Sequence, residues 1–436
     1  MSKVGVGILG CGTVGTGVAK ILLNHQDVLK ARNVSVELIR VADIDTTTDR
    51  GIAWPKGMLI DDAQKLINDP NIQVVVETIG GTGISKKLVL DAIRAKKHIV
   101  TANKALLATC GDEIMQAAIE NNVDIRYEAS VGGCMPIIKT VRESLVGNHI
   151  QQTVGILNGT CNYILSKITA EGSEFATVLK EAQELGYAEA DPTLDIEGID
   201  TAHKLAILAS ICYGTKLSVE DIYVEGIARI SAMDIEFARQ FGYRIKLLAI
   251  SKFNGKAIEL RVHPTMIPET NMLSNVNSSL NAVTIMADCV GDVLLYGYGA
   301  GMMPTASAIV SDVVDIARNL ASGAISPRIP VLSYMPKEVK RISLVPMSEI
   351  CCRYYFRFDA TDQPGVLSQI SGILGRHKIS LSSVHQKGRS EKETVPIVML
   401  THHAKEANVR EALLEIAQLD SIDAPPMLIR IENEEG

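Results

Sequence analysis

The stretch Val4-Gly5-Val6-Gly7-Ile8-Leu9-Gly10-Cys11-Gly12-Thr13-Val14-Gly15 decides the fold of this chain of 436 residues. It opens with a short apolar run typical of a buried strand and closes with the pattern G-x-G-x-x-G. The first glycine permits a tight turn, the second lets the backbone approach a pyrophosphate, and the third lets a helix pack on the strand. Apolar residues then recur near helical spacing from Gly15 to Leu29, so the stretch predicts a strand, a phosphate-binding turn and a helix. The predicted cofactor-binding residues of the turn are Gly10, Gly12, Thr13, Val14 and Gly15.

Strand and helix patterns alternate over the first 127 residues. Short runs rich in β-branched residues indicate parallel strands, and stretches between them, such as Ser85–Lys96, have the apolar spacing of crossover helices. This alternation predicts an α/β fold with a doubly wound parallel sheet of the Rossmann type. The predicted strands are Val4–Leu9, Val34–Ala42, Ile72–Thr78, His98–Thr101 and Val123–Tyr127.

A second domain, of the α+β class, is predicted after the Gly132-Gly133 pair. Long helical stretches run from Cys161 through Tyr213, and the runs Ile245–Ser251 and Ala257–Val262 indicate antiparallel strands. The helix predicted at Thr305–Leu320 carries small and apolar residues that suit packing on the first domain. The predicted bounds are 1–134 for the dinucleotide-binding domain, about 302–325 for a segment that completes it, and 135–301 for a catalytic, substrate-binding and dimerisation domain.

The last part of the chain is predicted to be a separate module. Prolines and poor periodicity indicate a linker over residues 326–348. Residues 349–436 then show the order β-α-β-β-α-β of a ferredoxin-like fold. Its predicted elements are Cys352–Asp359, Gly365–His377, Ile379–Gln386, Thr394–Thr401, Glu406–Leu419 and Pro426–Ile431.

Composition and charge narrow the classes of protein to which the chain can belong. The formal net charge is −7, so binding to nucleic acid phosphates is not expected. Apolar helical runs such as Leu205–Tyr213 stop short of the roughly 20 residues that cross a bilayer. The eight cysteines have no ligand spacing and are predicted to be reduced and mostly buried, without structural zinc. We predict a cytoplasmic protein without a membrane segment.

The end of the second predicted strand bears on the type of nicotinamide cofactor. Asp43 follows that strand, as an acidic residue that binds the adenine ribose 2′-hydroxyl of NAD would, although it lies further past the glycines than the usual ~20 residues. Arg40 and Arg50 are near enough in sequence to bind the 2′-phosphate of NADP. The alternative for all three is an ordinary solvated loop, which suits the two arginines better than Asp43. The residues therefore predict NAD or NADP and leave the choice open.

A segment dense in charge, residues 186–204, lies between apolar helical stretches. Asp200 and Lys204 are four residues apart, so a helix that begins near Asp200 places both side chains on one face. One interpretation is an N-cap aspartate in an exposed ion pair, worth about 0.3 kcal/mol. The other is catalytic, because oxidation of an alcohol needs a base for the hydroxyl proton as hydride leaves. A partly desolvated lysine that a carboxylate orients can take that proton.

Three further charged residues suit the same chemistry. The carboxylates of Glu189 and Asp195 are suited to the ammonium group of an amino-acid substrate. Lys104 falls just past the carboxyl end of a predicted parallel strand, where open α/β sheets place ligands.

Six motifs, spread over essentially the whole chain, carry a resemblance to a known family. They are G-x-G-x-x-G at 10–15, T-A-N-K-A at 101–105, Y-E-A-S-V-G-G at 127–133, N-G-T-x-N-Y-I-L at 158–165, G-Y-A-E-A-D-P-T-x-D-x-x-G-x-D at 186–200 and H-K-L at 203–205. Together they resemble the monofunctional homoserine dehydrogenases with a C-terminal ACT domain. The resemblance implies NAD(P)-dependent interconversion of L-homoserine and L-aspartate 4-semialdehyde, on the route to threonine, methionine and isoleucine. It also implies a homodimer or homotetramer.

The resemblance assigns roles to particular residues. It implies that Lys204 is the proton donor and acceptor, and that Lys104 assists at the reacting oxygen or lies against the cofactor. Glu189 would bind the substrate, and Asp200 and Asp195 would support the substrate and the catalytic lysine. The other implied contacts to substrate or cofactor are Tyr187, Gly186, Thr78 and Gly301. One departure is that many relatives have an arginine just after the second strand, where this chain has Ile44 preceded by Asp43.

The resemblance further implies a monovalent cation, typically sodium, held by backbone carbonyl groups. The matching residues are Glu128, Val131, Gly133 and Met135. Oxygen ligands suit a hard cation. The alternative is a glycine turn that only joins two domains.

Residues 359–367, Asp-Ala-Thr-Asp-Gln-Pro-Gly-Val-Leu, resemble the ligand loop of ACT domains. ACT domains usually bind amino acids, so the resemblance implies feedback by a pathway product, with threonine the leading candidate effector. An ACT fold that only dimerises is the alternative, because fold alone does not establish ligand binding. The sequence also bears on two alternative functions of the whole chain. A 2-hydroxy-acid dehydrogenase needs an Arg and His pair that the nucleotide half does not show, and a non-catalytic sensor has no need of a lysine opposite a nicotinamide.

Overall fold

The structure is a computed structural model that describes residues 3–323, 327, 329–386 and 394–432. Parts of the predicted return segment, linker and C-terminal module, at residues 324–326, 328, 387–393 and 433–436, lie outside the described residues. The strands are β1 Val4–Leu9, β2 Val36–Ala42, β3 Leu59–Ile60, β4 Val74–Glu77, β5 His98–Thr101, β6 Ile125–Arg126, β7 Ile150–Ile156, β8 Tyr223–Val224, β9 Tyr243–Phe253, β10 Ala257–Pro268, β11 Leu280–Ala287, β12 Gly291–Tyr298, β13 Ser343–Leu344, β14 Cys351–Thr361, β15 Leu381–Gln386, β16 Thr394–Thr401, β17 Ala404–Lys405 and β18 Met427–Ile431.

Helices connect most of these strands. They are α1 Thr13–Asn24, α2 Gln26–Ala31, α3 Ala63–Ile67, α4 Gly83–Arg94, α5 Lys104–Asn121, α6 Ile137–Lys139, α7 Gly159–Glu171, α8 Phe175–Glu184, α9 Thr193–Ile196, α10 Ile199–Tyr213, α11 Ala232–Gln240, α12 Met302–Ala321, α13 Val366–Arg376 and α14 Glu406–Ile416. Among the described residues, no helix is both long enough and apolar enough to span a bilayer.

The chain divides into two compact units. The first comprises Met1–Thr153, Asp200–Ile222 and Leu280–Ile342, and the second comprises Val154–Ile199, Tyr223–Ser279 and Ser343–Gly436. The division into three domains with a linker stays a prediction.

The first unit contains the predicted parallel sheet. Its order is β3-β2-β1-β4-β5-β6, and every neighbouring pair is parallel. All six residues of β1 are buried, as a central strand covered on both faces requires. The strand order reverses between the neighbouring strands β1 and β4. Doubly wound folds bind ligands at such a reversal. The Rossmann-type prediction is confirmed.

Some elements of the first unit differ from the predicted ones. The single helix predicted over Gly15–Leu29 is two helices, because α1 ends at Asn24 and α2 begins at Gln26. The Gln26 side chain donates to the carbonyl groups of Leu22 and Val36, which stabilises the break. The short strand β3 had not been predicted. Helices α3 and α5 lie in stretches between predicted strands, where crossover helices are expected, although no bounds were predicted for them.

Helix α12 packs on α1 in the core of the first unit. Val18 of α1 and Ile309 and Val313 of α12 are fully buried in one apolar cluster. A Cβ atom at Gly17 would lie 2.9 Å from the side chain and from the carbonyl oxygen of Met302. Only glycine therefore permits the observed approach of the two helices.

The second unit contains six strands side by side, in the order β9-β10-β18-β14-β16-β15. The last four of these strands, with α13 and α14, form the predicted β-α-β-β-α-β module, which confirms that fold. Its core contains the aromatic side chains of Tyr354, Phe356 and Phe358. Within the second unit, Thr265 and Met266 of β10 pair in parallel with β18 of this module.

The cysteines are free, as predicted, but they are less buried than predicted. Four of the eight are buried, namely Cys11, Cys161, Cys212 and Cys352. Cys289 and Cys351 are exposed, because one follows β11 in a surface turn and the other begins β14.

Candidate active site

The glycine turn between β1 and α1 has the geometry that a pyrophosphate needs. Gly10 has a φ of +90°, a conformation that favours glycine. A Cβ atom at Gly15 would lie 2.0 Å from the carbonyl oxygen of Gly10, whereas one at Gly12 would meet nothing within 4 Å. The helix starts at Thr13 without a side-chain cap. The turn therefore presents an open backbone and a helix N-terminus, which fits a dinucleotide cofactor.

Thr78 links this turn to the neighbouring strand. Its hydroxyl donates to the carbonyl oxygen of Gly10 over 2.7 Å. The turn opens into a cleft of about 480 Å³ in the first unit. The cleft is lined by Leu9, Gly10, Gly12, Ala42, Asp43, Ile44, Asp61, Ala63, Thr78, Ile79, Ile84 and Leu88. Predominantly apolar walls with few polar groups are typical of a cofactor site.

The three residues considered for cofactor type occupy different surroundings. Asp43 accepts hydrogen bonds from the backbone N–H groups of Cys11 and Asp45, and it lines the cleft. Arg40 instead binds Asp69 at 2.8 Å. The side chain of Arg50 is 9% exposed and donates to the carbonyl oxygens of Cys11, Thr48 and Asp45.

Gly301, the predicted cofactor contact of the return segment, is the N-cap residue of α12. It has a φ of +120°, which suits glycine. The helix that follows packs on α1, so Gly301 belongs to the same unit as the glycine turn.

The first unit brings together Lys104, Asp200 and Lys204. Lys204 Nζ lies 2.7 Å from Asp200 Oδ2, and Lys104 Nζ lies 2.8 Å from Asp200 Oδ1. The side chains of Asp200 and Lys204 are 8% and 10% exposed. The interpretation of these residues as an exposed ion pair is therefore wrong. Asp200 is in the first turn of α10 rather than at its N-cap.

The electrostatics of the cluster follow from this geometry. Burial by itself would raise the pKa of Asp200, but the ammonium groups of Lys204 and Lys104 outweigh it and hold that pKa below its usual range. Two ammonium groups surround one carboxylate, so the three side chains carry a net positive charge.

Local structure holds Lys104 at the carboxyl edge of the sheet. It is the first residue of α5, and the side chain of the N-cap Asn103 accepts from the N–H of Leu106. The fully buried carboxylate of Glu77 accepts from the Thr101 hydroxyl at 2.6 Å, and the same hydroxyl accepts from the N–H of Asn103. Glu77 was missed in the sequence, where it is one acidic residue at the end of an apolar strand.

The second unit contains the residues predicted to bind substrate. Asn158 Nδ2 donates to Asp195 Oδ1 over 2.7 Å. The Thr160 hydroxyl lies 3.2 Å from Asp195 Oδ2 and 2.6 Å from the carbonyl oxygen of Tyr187. Asn158 and Thr160 therefore hold Asp195 and the backbone of Tyr187 in place. Glu189 is exposed, and its carbonyl oxygen accepts from the Gln183 side chain.

Gly186 shapes the backbone before Tyr187. It has a φ of +74° and follows α8, so that the N–H of Gly186 bonds to Gln183 and the N–H of Tyr187 bonds to Ala182. This is the pattern of a helix ended by a left-handed glycine.

Asn158 and Thr160 had not been assigned as site residues. The available signal was the run Asn158-Gly159-Thr160 before a helix, because asparagine at an N-cap is common. Asn158 is indeed the N-cap of α7.

The segment assigned to a cation forms a tight loop in the first unit. Gly132 and Gly133 have φ values of +74° and +60°. The carboxylate of Glu128 accepts from the backbone N–H groups of Ile138 and Lys139, so its carbonyl oxygen rather than its side chain is the candidate ligand. Met135 is buried in the same loop.

A glycine-rich pyrophosphate turn and two lysines around a buried carboxylate, in a Rossmann-type unit, define a nicotinamide-dependent oxidoreductase, here with a C-terminal module. Family profiles match the homoserine dehydrogenase NAD-binding domain at residues 10–128, homoserine dehydrogenase itself at 136–314 and the ACT domain at 354–421. The chain belongs to the homoserine dehydrogenase family, and homoserine dehydrogenase activity follows from that membership.

Individual relatives agree with this assignment. The homoserine dehydrogenase of Neisseria gonorrhoeae is 45% identical over 99% of both chains, and that of Synechocystis is 44% identical over 98% of this chain and 99% of its own. The crystal structure of a homoserine dehydrogenase from Thiobacillus denitrificans is 43% identical, covers 99% of both chains and has a TM-score of 0.92. A hyperthermophilic archaeal homoserine dehydrogenase in complex with NADPH is 26% identical, covers 73% of this chain and 98% of its own, and has a TM-score of 0.61.

Proposed function

We propose that Lys204 transfers the proton in the reversible oxidation of L-homoserine to L-aspartate 4-semialdehyde. In the oxidative direction its neutral amine takes the proton of the substrate hydroxyl, and in the reductive direction its ammonium returns a proton to that oxygen. The bound nicotinamide supplies the hydride acceptor or donor. The burial of Lys204 and its contact with Asp200 are the observations that support this role.

Asp200 and Lys104 complete the proposed catalytic group. Asp200 binds both lysines and therefore orients Lys204. Lys104 adds a second positive charge, which stabilises negative charge that develops on the substrate oxygen. Such stabilisation is strong where water is excluded.

Glu189 and Asp195 are proposed to bind the ammonium group of the substrate. Asp195 is held by Asn158 and Thr160, so its carboxylate is oriented before substrate binds. A preorganised charged group loses less entropy on binding. The backbone of Tyr187, which Thr160 also holds, is the proposed second contact.

For the cofactor we propose a preference for NAD over NADP. Acidic side chains, Asp43 and Asp61, line the cleft, and although Arg50 lies 3.8 Å from Asp43, two carboxylates would repel a 2′-phosphate. Arg50 is engaged with three backbone carbonyl groups and Arg40 with Asp69.

A sodium ion held by the carbonyl oxygens of Glu128, Val131, Gly133 and Met135 is part of the proposal. The positive φ values of Gly132 and Gly133 make the tight loop that such a site needs. The midpoint of thermal unfolding should rise in NaCl relative to N-methylglucamine chloride at equal ionic strength. An equal midpoint in both salts would contradict the sodium site.

The ACT module is proposed to bind an amino-acid effector, threonine in the first place, at the loop of residues 359–367. The left-handed Gly365, which has a φ of +97°, lets this loop turn directly into α13. Carboxylates at Asp359 and Asp362 suit the ammonium group of an amino acid. A homodimer or homotetramer and a cytoplasmic location stay predictions.

A single assay tests the reaction. Purified protein is mixed with L-homoserine and either NAD⁺ or NADP⁺, and reduced nicotinamide is followed by absorbance. L-2-Aminobutyrate, which lacks the hydroxyl group, is the matched control. A folded protein that gives no homoserine-dependent signal with either cofactor would contradict the proposal.

A further inference from the structure

Strand β14 has two faces with different partners. Side chains alternate along a strand, so Tyr354, Phe356 and Phe358 lie on one face, in the core of the ACT module. Tyr355 and Arg357 lie on the other face. In a two-layer ferredoxin-like fold this second face has no helices of its own, so whatever covers it comes from outside the module.

Helix α11 covers that second face within the second unit. Arg357 Nε donates to Asp234 Oδ1 over 2.7 Å, and the Tyr355 hydroxyl donates to the same oxygen over 3.0 Å. Asp234 is fully buried. At the other end of the helix, the ring of Phe241 meets the ring of His385 from β15 edge-on at 4.8 Å. The ACT sheet thus holds both ends of α11.

Asp234 also determines where α11 begins. Its carboxylate accepts from the hydroxyl and the backbone N–H of Ser231, and the Ser231 hydroxyl accepts from the N–H of Asp234. This is a capping box. A change in the bonding of Asp234 therefore acts directly on the first turn of the helix.

Arg357 is shared between α11 and the proposed effector loop. Its Nη1 donates to the carboxylate of Asp359, the first residue of that loop. An amino-acid ammonium group that binds Asp359 competes with Arg357 for the same carboxylate. Arg357 then bonds to Asp234 alone.

Helix α11 is linked to the proposed substrate residues through a neighbouring helix. Helix α11 packs on α7 and on β9. Asn158, the N-cap of α7, holds Asp195. A movement of α11 would therefore shift α7, and with it Asn158 and the Asp195 carboxylate that is proposed to bind homoserine.

We propose that the Arg357–Asp234 pair couples amino-acid binding at the ACT loop to homoserine binding at Asp195, with α11 as the moving element. The coupling rests on the proposed function of the ACT module as an effector site. Because the contacts from Arg357 through α11 and α7 end at Asp195, we expect effector binding to change the affinity for homoserine rather than the affinity for the cofactor.

The test compares the full chain with an Arg357→Met/Asp234→Asn double variant, which leaves no buried charge unpaired. Threonine binding is measured by calorimetry and its inhibition by the change in KM for homoserine. We expect binding within about threefold of the parent but a loss of about fivefold or more in the KM effect, the range of ordinary allosteric coupling. The matched control is Arg376→Met/Glu415→Gln, which removes an exposed ion pair of the same module and should retain the full effect.

Hydrogen exchange of the unmodified chain is the second measurement, because it does not depend on a variant that folds. Threonine should change the exchange of residues 232–240 and 159–171 together. If the parent binds threonine and its KM responds while the double variant responds equally, or while those helices do not change, the coupling is wrong and the effector site stands. If the parent binds none of threonine, isoleucine, methionine and lysine, the proposed effector site is contradicted. The proposed coupling, which depends on that site, is then contradicted as well.

Discussion

Lys204 donates a hydrogen bond of 2.7 Å to Asp200, one helical turn before it on α10, and both side chains are buried. Taking two charges out of water costs several kcal/mol per ion, so such a pair persists where it has a use or further partners. Lys104 is a further partner at 2.8 Å. The cluster retains one excess positive charge where a substrate oxygen becomes negative in the proposed reaction.

Replacing Lys204 by alanine should lower kcat by about 10³-fold, because the proton then has no positioned acceptor. The affinity for NADH, measured by fluorescence titration, should stay within about twofold, which is under 0.5 kcal/mol. The control is Lys216→Ala, which removes an exposed lysine paired with Asp112 in the same unit. A Lys204→Ala enzyme with near-normal kcat would exclude Lys204 from proton transfer.

Replacing Ile44 by arginine should raise kcat/KM for NADP⁺ by about tenfold, since one charge-assisted contact to a 2′-phosphate is worth about 1.5 kcal/mol. Ile44 is 98% exposed and lines the cofactor cleft, so the fold should tolerate the change. Ile44→Gln is the control of similar length without charge. Equal NADP⁺ kinetics in the two variants would place the adenine ribose elsewhere.

Replacing Asn158 by alanine should raise KM for homoserine by about tenfold or more, because the Asp195 carboxylate loses a hydrogen bond of 2.7 Å. KM for the cofactor should change little. Asn271→Ala, which removes the N-cap asparagine of the 3₁₀ helix Met272–Asn275 in the second unit, controls for the loss of a cap. If both variants raise KM equally, Asn158 has only a structural role.

The free energy of unfolding should depend on pH through the ionisation of the Glu128 carboxyl group. Burial and the nearby Asp312 carboxylate raise the pKa of Glu128 to about 8 from an ordinary 4.5. The folded state therefore binds this proton more tightly than the unfolded state does. Its contribution is fully present below pH 4.5 and is lost as the pH rises to about 8, at up to about 1.4 kcal/mol per pH unit.

Urea unfolding of the parent and of Glu128→Gln between pH 5 and 9, about the window of that titration, measures this effect. The parent should lose stability relative to the variant as the pH rises. Glu113→Gln, which changes an exposed carboxylate, should follow the parent. Parallel curves for the parent and Glu128→Gln would show that Glu128 titrates normally.

Much of the fold was predictable because it depends on local pattern. The run Val4–Leu9 followed by three spaced glycines predicted the first strand and the turn, and β1 has the same bounds. Periodicity also predicted the order of the ACT module. No bounds were predicted for helix α5, because apolar residues such as Met115 and the exposed Ile119 lie off the face that buries Leu107, Ile114 and Ala118.

The sequence by itself determined the cofactor turn, because the spacing of its glycines after an apolar strand is enough to recognise it. The class of enzyme and the family followed from the resemblance of six motifs, which are also local in sequence. Only the tertiary structure decided that Asp200 binds Lys104 as well as Lys204, since those lysines are 100 residues apart along the chain. It also decided that Arg357 reaches Asp234. Long-range ion pairs of this kind depend on how buried elements pack, and one-dimensional periodicity does not record that packing.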